Sequence, residues 1–306
     1  MNVREWALPV YSILLQLATG ALLVLWIIRS ASSSKFNAKD IDEIIRNPLL
    51  VIAFTTGAAM IGAHFHLSRP FYSFLAVLNF RSSWLSREIV FTVLFFLAVS
   101  GLWFLSQTQR AHRKLISGLG WLAIGWGFTA IYCMAHIYLL PTQVAWNMPT
   151  TIISFYDTML FLGVMAVACL MVLDLKFAEM QPSSDLQIRS RVIHDSIHWL
   201  ALIAGIAAVL DIAIIFFQIF ILQHGDITAR TSVSLLFDIY MPLFIMRLLF
   251  LIAAPVWLMY AVYHMKKDKS APQQLMTQVY ITCLLALVAE IIGRFLFYAT
   301  HIRIGL

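Results

Sequence analysis

The stretch IHWLALIAGIAAVLDIAIIFFQIFIL, residues 197–222, decides the fold class. Apart from His198, Asp211 and Gln218 it is a continuous apolar run. About 20 such residues in helical form cross a bilayer core. Seven further runs of the same kind occupy residues 6–28, 48–66, 88–106, 115–138, 150–174, 235–262 and 276–299. The 306-residue chain is 61% hydrophobic and 12% charged, where a soluble domain carries roughly 25% charged residues. Its mean hydropathy is +0.85. The sequence therefore predicts an all-α integral membrane protein, a bundle of eight transmembrane helices forming one membrane domain over residues 1–306. No stretch outside the spans is long enough for a soluble domain.

Cytoplasmic loops are richer in Lys and Arg than external ones. The loops after spans one, three, five and seven hold 13 basic residues, from Arg29 to Lys269. The opposite side, with both termini, holds six: Arg4, Arg69, Arg81, Arg87, Arg230 and Arg303. Arg247 and Arg294 fall within spans. This asymmetry predicts both termini outside the cytoplasm. The net charge of +6 reads as topology and implies no nucleic-acid partner. Arg4 sits beside Glu5, so span one lacks the basic leader of a cleaved signal and reads as retained. Cys133, Cys169 and Cys283 all lie inside spans without a CxxC. They offer no ligand set for an iron–sulfur cluster or zinc and read as small packing residues.

The segment AKDIDEIIRN (38–47) reads as a short helix ahead of Pro48, which opens span two. Between spans two and three, Phe71, Phe74, Leu75 and Leu78 share a helical face after Pro70. Ser68–Trp84 thus reads as an interfacial helix on the outer surface. Trp84, Tyr138 and Trp146 are placed as outer aromatic-belt residues. YCMAHIYLL (132–140) and YATHIRIGL (298–306) end spans four and eight alike, but no clear internal repeat is visible.

Charged groups are expensive in hydrocarbon, so those that remain there are functional candidates. Alternating span direction places His64, His66, Glu88, His136, Asp157, Arg247, Arg294, Tyr298 and His301 toward the outer side. Asp211 and Glu290 sit near mid-depth. The chemistry suits a quinone headgroup. Quinol oxidation releases two protons, and a carboxylate in partly apolar surroundings is a stronger base than one in water. Histidine accepts protons near neutrality unaided. Glu88 and His66 are accordingly expected as the two ends of a quinol clamp and the catalytic pair. A structural reading stands beside this one. Glu88 is also a first-turn residue favoured by the helix dipole, and a lone histidine such as His66 is often only an interface residue. Glu290 and Arg294, spaced i, i+4, are expected to pair, and Arg247 to find Asp157 or Asp211. Two other functions remain open from the residues. A b-type cytochrome could draw on nine histidines, although none of those on a shared side lies well inside a span. A transporter would use broken helices and repeats, and only Pro255 clearly interrupts a span interior.

Three stretches resemble a known family. They are HLSRPFYSFLAVLNFRSSWLSREI (66–89), LPTQVAWNMPTTIISF (140–155) and AEIIGRFLFYATHIRIGL (289–306), and the family is the dimethyl sulfoxide reductase anchor subunits, DmsC. The resemblance covers all eight spans. It implies a haem-free membrane anchor that binds menaquinol or a related quinol. Electrons would pass to a ferredoxin-like iron–sulfur subunit, which feeds a catalytic subunit carrying molybdenum-bis-pterin. The family's quinol-site His and Glu match His66 and Glu88, and its terminal Arg and His match Arg294 and His301. The full expected quinol-binding set is His64, His66, Glu88, Arg247, Arg294, Tyr298 and His301, with no metal ligand. The implied location is a bacterial or archaeal cytoplasmic membrane, with the partner subunits on its outer face. Arg69 and Phe71 depart from the family pattern, and the loop between spans one and two is longer. The quinone species and terminal substrate are left open.

Overall fold

The computed structural model describes residues 3–66, 75, 77–107, 113–180, 186–267 and 272–302. Among them every regular element is helical. The helices are α1 (Val3–Ser32), α2 (Ala38–His66), α3 (Trp84–Gln107), α4 (Arg113–Ile137), α5 (Pro149–Glu179), α6 (Leu186–Gln223), α7 (Ile227–Ser234), α8 (Met241–Lys267) and α9 (Pro272–Ala299). All but α7 are long and apolar enough to span a membrane, eight in total. A π-helical turn, Leu235–Ile239, precedes α8. The expected short helix at 38–47 is not separate: it continues through Pro48 into α2. Likewise α6 begins at Leu186, before its apolar run. Polar turns beyond the apolar part extend the same helix, which hydropathy alone does not register.

Helix starts follow their local chemistry. Pro149 opens α5, where its missing N–H costs nothing, after Met148 in extended backbone. Asp226 caps α7 by accepting from the Ala229 N–H at 2.8 Å.

The spans pack as two closed rings of four. In the first, α1, α2, α3 and α4 touch in order and α4 returns to α1. In the second, α5, α6, α8 and α9 do the same. The neighbour order thus repeats although the sequence does not. The rings join chiefly along α1 and α5. A Cβ on Gly163 would lie 2.5 Å from Gly20 Cα, and one on Gly20 would lie 3.0 Å from Gly163 Cα. Only glycine permits this backbone contact, as at close-packed membrane helix pairs. Leu15, Leu22 and Trp26 of α1 and Phe155 and Phe161 of α5 are fully buried around it.

Because the spans alternate, α1, α3, α5 and α8 start at one face, the first face, and α2, α4, α6 and α9 end there. Ion pairs tie the other face. Arg29 meets Asp42 at 2.8 Å, and Lys35 meets Asp195 at 2.9 Å. Arg189 joins Asp174 and reaches Glu43 at 3.1 Å, while Asn47 donates to Asp174 at 2.8 Å. These contacts link α1 to α2, the turn after α1 to α6, α6 to α2 and α5, and α2 to α5.

Much of the expected interfacial helix, including Phe71 and Phe74, lies outside the described residues. Its described part is a short 3-10 turn at 77–79, with Leu75, Val77, Leu78 and Phe80 exposed. Trp84 is exposed, as a belt residue should be. Tyr138 and Trp146 are not belt residues: they are 7% and 8% exposed. An aromatic cluster with Phe155, Phe297 and Tyr298 takes them inward.

Candidate functional site

Glu88 is the fifth residue of α3, past the first turn in which the sequence placed it, and faces into the first ring. It is 3% exposed. Its Oε1 is buried without a hydrogen-bond partner among the described residues. Thr92, one turn along the same face, shares a 3.1 Å hydrogen bond with the Tyr11 hydroxyl of α1, and Tyr11 also stands beside the Glu88 carboxyl. A buried carboxyl oxygen with no partner is costly. Past the first turn, Glu88 is also poorly placed to serve the helix dipole, a role that has no need of burial. Tyr11 was not among the expected site residues, and nothing in its local sequence marks it out.

His66 is the last residue of α2, and its side chain lies outside the described part. His64, two residues earlier, is exposed, with Nδ1 bonded at 2.8 Å to the Met60 carbonyl.

The remaining expected residues gather elsewhere. Arg294 is 6% exposed and belongs to the second ring. It donates to Gln16 Oε1 at 2.7 Å, and its guanidinium lies 4.0 Å from the centre of the Phe155 ring. Gln16 in turn donates to the Phe155 carbonyl at 2.7 Å. Among the described residues no ion pair joins Arg294 to Glu290, contrary to expectation. Glu290 instead accepts from Thr158 Oγ1 at 2.9 Å. Helix-to-helix partners displace the i, i+4 pair, because each polar group gains a bond across the bundle. Arg247 pairs with Asp211 at 2.8 Å, one of its two expected partners. Both oxygens of Asp157 are buried without a partner among the described residues.

Between the two groups lies the aromatic cluster. The Tyr138 and Tyr298 hydroxyls are hydrogen-bonded to each other. His301 stacks on Trp146 with ring centres 4.2 Å apart, and its Nδ1 contacts the Tyr298 carbonyl. Glu88 is within electrostatic range of both tyrosines. The single expected set therefore resolves into a buried Glu88–Tyr11–Thr92 group in ring one and a cavity lined by Arg247 and Arg294 in ring two, with a tyrosine partition between them. Gln16 could have been suspected from its place in an otherwise apolar span.

Residues 1–300 match the family described as DMSO reductase anchor subunit (DmsC). The chain belongs to this family. It is 28% identical over 170 residues to the anaerobic dimethyl sulfoxide reductase protein YnfH of Escherichia coli, a match covering 55% of this chain and 58% of that one. It is also 26% identical, over 312 aligned residues, to a component of the anaerobic dimethyl sulfoxide reductase of Haemophilus influenzae. That match covers all of this chain and 99% of the relative. The DmsC assignment makes the protein a membrane anchor of a molybdoenzyme complex.

Proposed function

We propose that the chain oxidises a quinol at Glu88 and hands its electrons to an iron–sulfur subunit of the complex. The observation that carries this reading is the buried Glu88 oxygen without a partner. A buried, unpartnered acceptor beside the Tyr11 hydroxyl suits a ligand hydroxyl that both donates and accepts. The quinol loses two protons and two electrons and becomes the quinone. Glu88 takes the proton of one ring hydroxyl, and His66, at the end of the neighbouring helix, takes the other. Tyr11, fixed by Thr92, supplies the donor beside Glu88. The electrons leave for the nearest cluster of the partner, which supplies the redox centres this anchor does not need to hold. Menaquinol or a close relative is the favoured substrate, in keeping with the family.

The first face is the outer one on this reading, because the other face carries most of the basic loop residues. The iron–sulfur subunit docks there, over the segment before α3, in a bacterial or archaeal cytoplasmic membrane. Protons released and protons consumed then meet on one side, and turnover moves no net charge across the bilayer.

Glu88→Gln tests the site. It keeps the shape and removes the base. Quinol-driven reduction should fall by roughly 10²–10⁴-fold, the usual worth of a general base. Complex assembly and reduction by a dye that bypasses the anchor should persist. Equal loss in both assays would make Glu88 a structural residue.

A further inference from the structure

Quinol chemistry at Glu88 leaves the ionisable groups of the second ring unexplained. Arg247, Glu290 and Arg294 line a cavity of about 110 Å³ between α5, α6, α8 and α9. Burying charge in hydrocarbon is costly unless the groups are fully paired or used. These are not fully paired. Arg247 Nε and Asp211 Oδ1 are buried without a partner among the described residues. A guanidinium carries five N–H donors. The described bonds use Nη2 of Arg247 toward Asp211 and Nη2 of Arg294 toward Gln16. The cavity wall thus offers spare donors. It does not offer excess positive charge, because Asp211 pairs with Arg247, and Asp157 and Glu290 lie within electrostatic range of the arginines. Spare donors without net positive charge suit a neutral carbonyl oxygen better than an anion.

Depth points the same way. Arg247 lies six residues into α8, about 9 Å along its axis at 1.5 Å per residue. Glu290 lies nine residues before the end of α9, about 14 Å by the same rise. A phosphate headgroup would have to leave the interface to reach them.

Further toward the middle of the membrane, an apolar groove of about 410 Å³ runs between α6 and α8. Gly205, Ile206 and Val209 form one wall, and Ile252, Pro255 and Val256 the other. Gly205 brings no side chain, and Pro255 interrupts the hydrogen bonding of α8. Ile206, Val209 and Val256 are exposed, so the groove opens on the lipid side. Groove and cavity follow the same two helices. Ile212 lines the groove and Ile215, one turn on, lines the cavity. The Asp211–Arg247 pair crosses from α6 to α8 at that level. Leu236, in the π-helical turn, also lines the cavity, and such turns recur at functional sites.

We propose that cavity and groove together form a second binding site, for an oxidised isoprenoid quinone. Its carbonyl headgroup takes hydrogen bonds from Arg247 and Arg294, and its tail lies between α6 and α8. The inference rests on the quinol-anchor reading only for the class of molecule present.

The test uses the whole complex in phosphatidylcholine nanodiscs, with a photoreactive azidonaphthoquinone carrying a two-isoprene tail. The expected result is saturable labelling of α6 and α8 peptides, displaced by unlabelled menaquinone and separate from labelling at α2 and α3. Ile206→Trp and Val256→Trp fill the groove from its lipid side, outside the packed core. Each should abolish the α6/α8 labelling while labelling at α2 and α3 persists. Unsaturable labelling, labelling that survives both substitutions, or displacement by phosphatidylglycerol would overturn the proposal, the last by making the site a lipid site. Labelling confined to α2 and α3 would overturn this inference alone. Labelling confined to α6 and α8 would uphold it and remove the quinol site at Glu88.

Discussion

Replacing Gly163 by alanine should part the two rings. The added Cβ would lie 2.5 Å from Gly20 Cα and 2.7 Å from the Gly20 carbonyl oxygen. Carbon atoms pack at about 3.5 Å or more, so α1 and α5 must separate locally by about 1 Å. Neither helix can yield a side chain instead, because the obstacle is backbone. Gln16 lies one turn from Gly20 on the same face of α1. Its 2.7 Å bond to the Phe155 carbonyl would stretch to about 3.7 Å, beyond hydrogen-bonding range. Overpacking a tight core costs about 1–3 kcal/mol, and the lost buried bond adds about 0.5–1.5 kcal/mol. Alanine returns up to about 1 kcal/mol in helix propensity. The net expectation is a destabilisation of about 0.5–4.5 kcal/mol, with the charge-assisted Arg294–Gln16 contact disturbed as well. The assay is the thermal midpoint of the detergent-solubilised protein, followed by size exclusion. Gly118→Ala and Gly125→Ala are the controls, since a Cβ at either position meets nothing within 4 Å. A Gly163→Ala protein as stable as these controls would refute the reasoning.

Arg189→Leu leaves Asp174 buried without its cation, at the end of the second ring away from the first face. Breaking such a pair costs about 3–5 kcal/mol, so the thermal midpoint should drop. The double variant Arg189→Leu/Asp174→Leu should recover most of the loss, and a single variant as stable as the parent would remove the pair from the stabilising contacts. The proposed orientation predicts that an epitope placed after Leu306 is reached by antibody on intact spheroplasts. An epitope detected only after the membrane is opened would reverse the assigned outer face.

The spans were legible because burial in lipid demands long apolar runs, and that demand is local. What the sequence hid was non-local. Glu88 reads identically whether it decorates a helix start or faces the bundle interior, and only the approach of Tyr11 from span one separates the two. Glu290 and Arg294 have the spacing of a helix-surface pair, yet Thr158 and Gln16 reach them from other helices. Tyr138 and Trp146 sit at span ends, where a belt is expected, but Phe155 and Phe297 close over them. The sequence offers Arg247 two partners, Asp157 and Asp211, and only the packing of α6 against α8 selects Asp211. The repeated ring order leaves no trace in residue identity, because packing four antiparallel helices constrains shape more than it constrains side chains.

The bond from Arg294 to Gln16 ties the last membrane helix to the first. During synthesis, α1 emerges long before α9, so Gln16 must wait through the insertion of every intervening span for that partner. The first ring can close once α4 arrives, but its seam stays open until α5 is made, and the guanidinium clasp comes last. Maturation of this anchor is therefore ordered like a lock whose final pin is its final helix. A chain that stops before α9 leaves the Gln16 side-chain oxygen in α1 without its cationic partner.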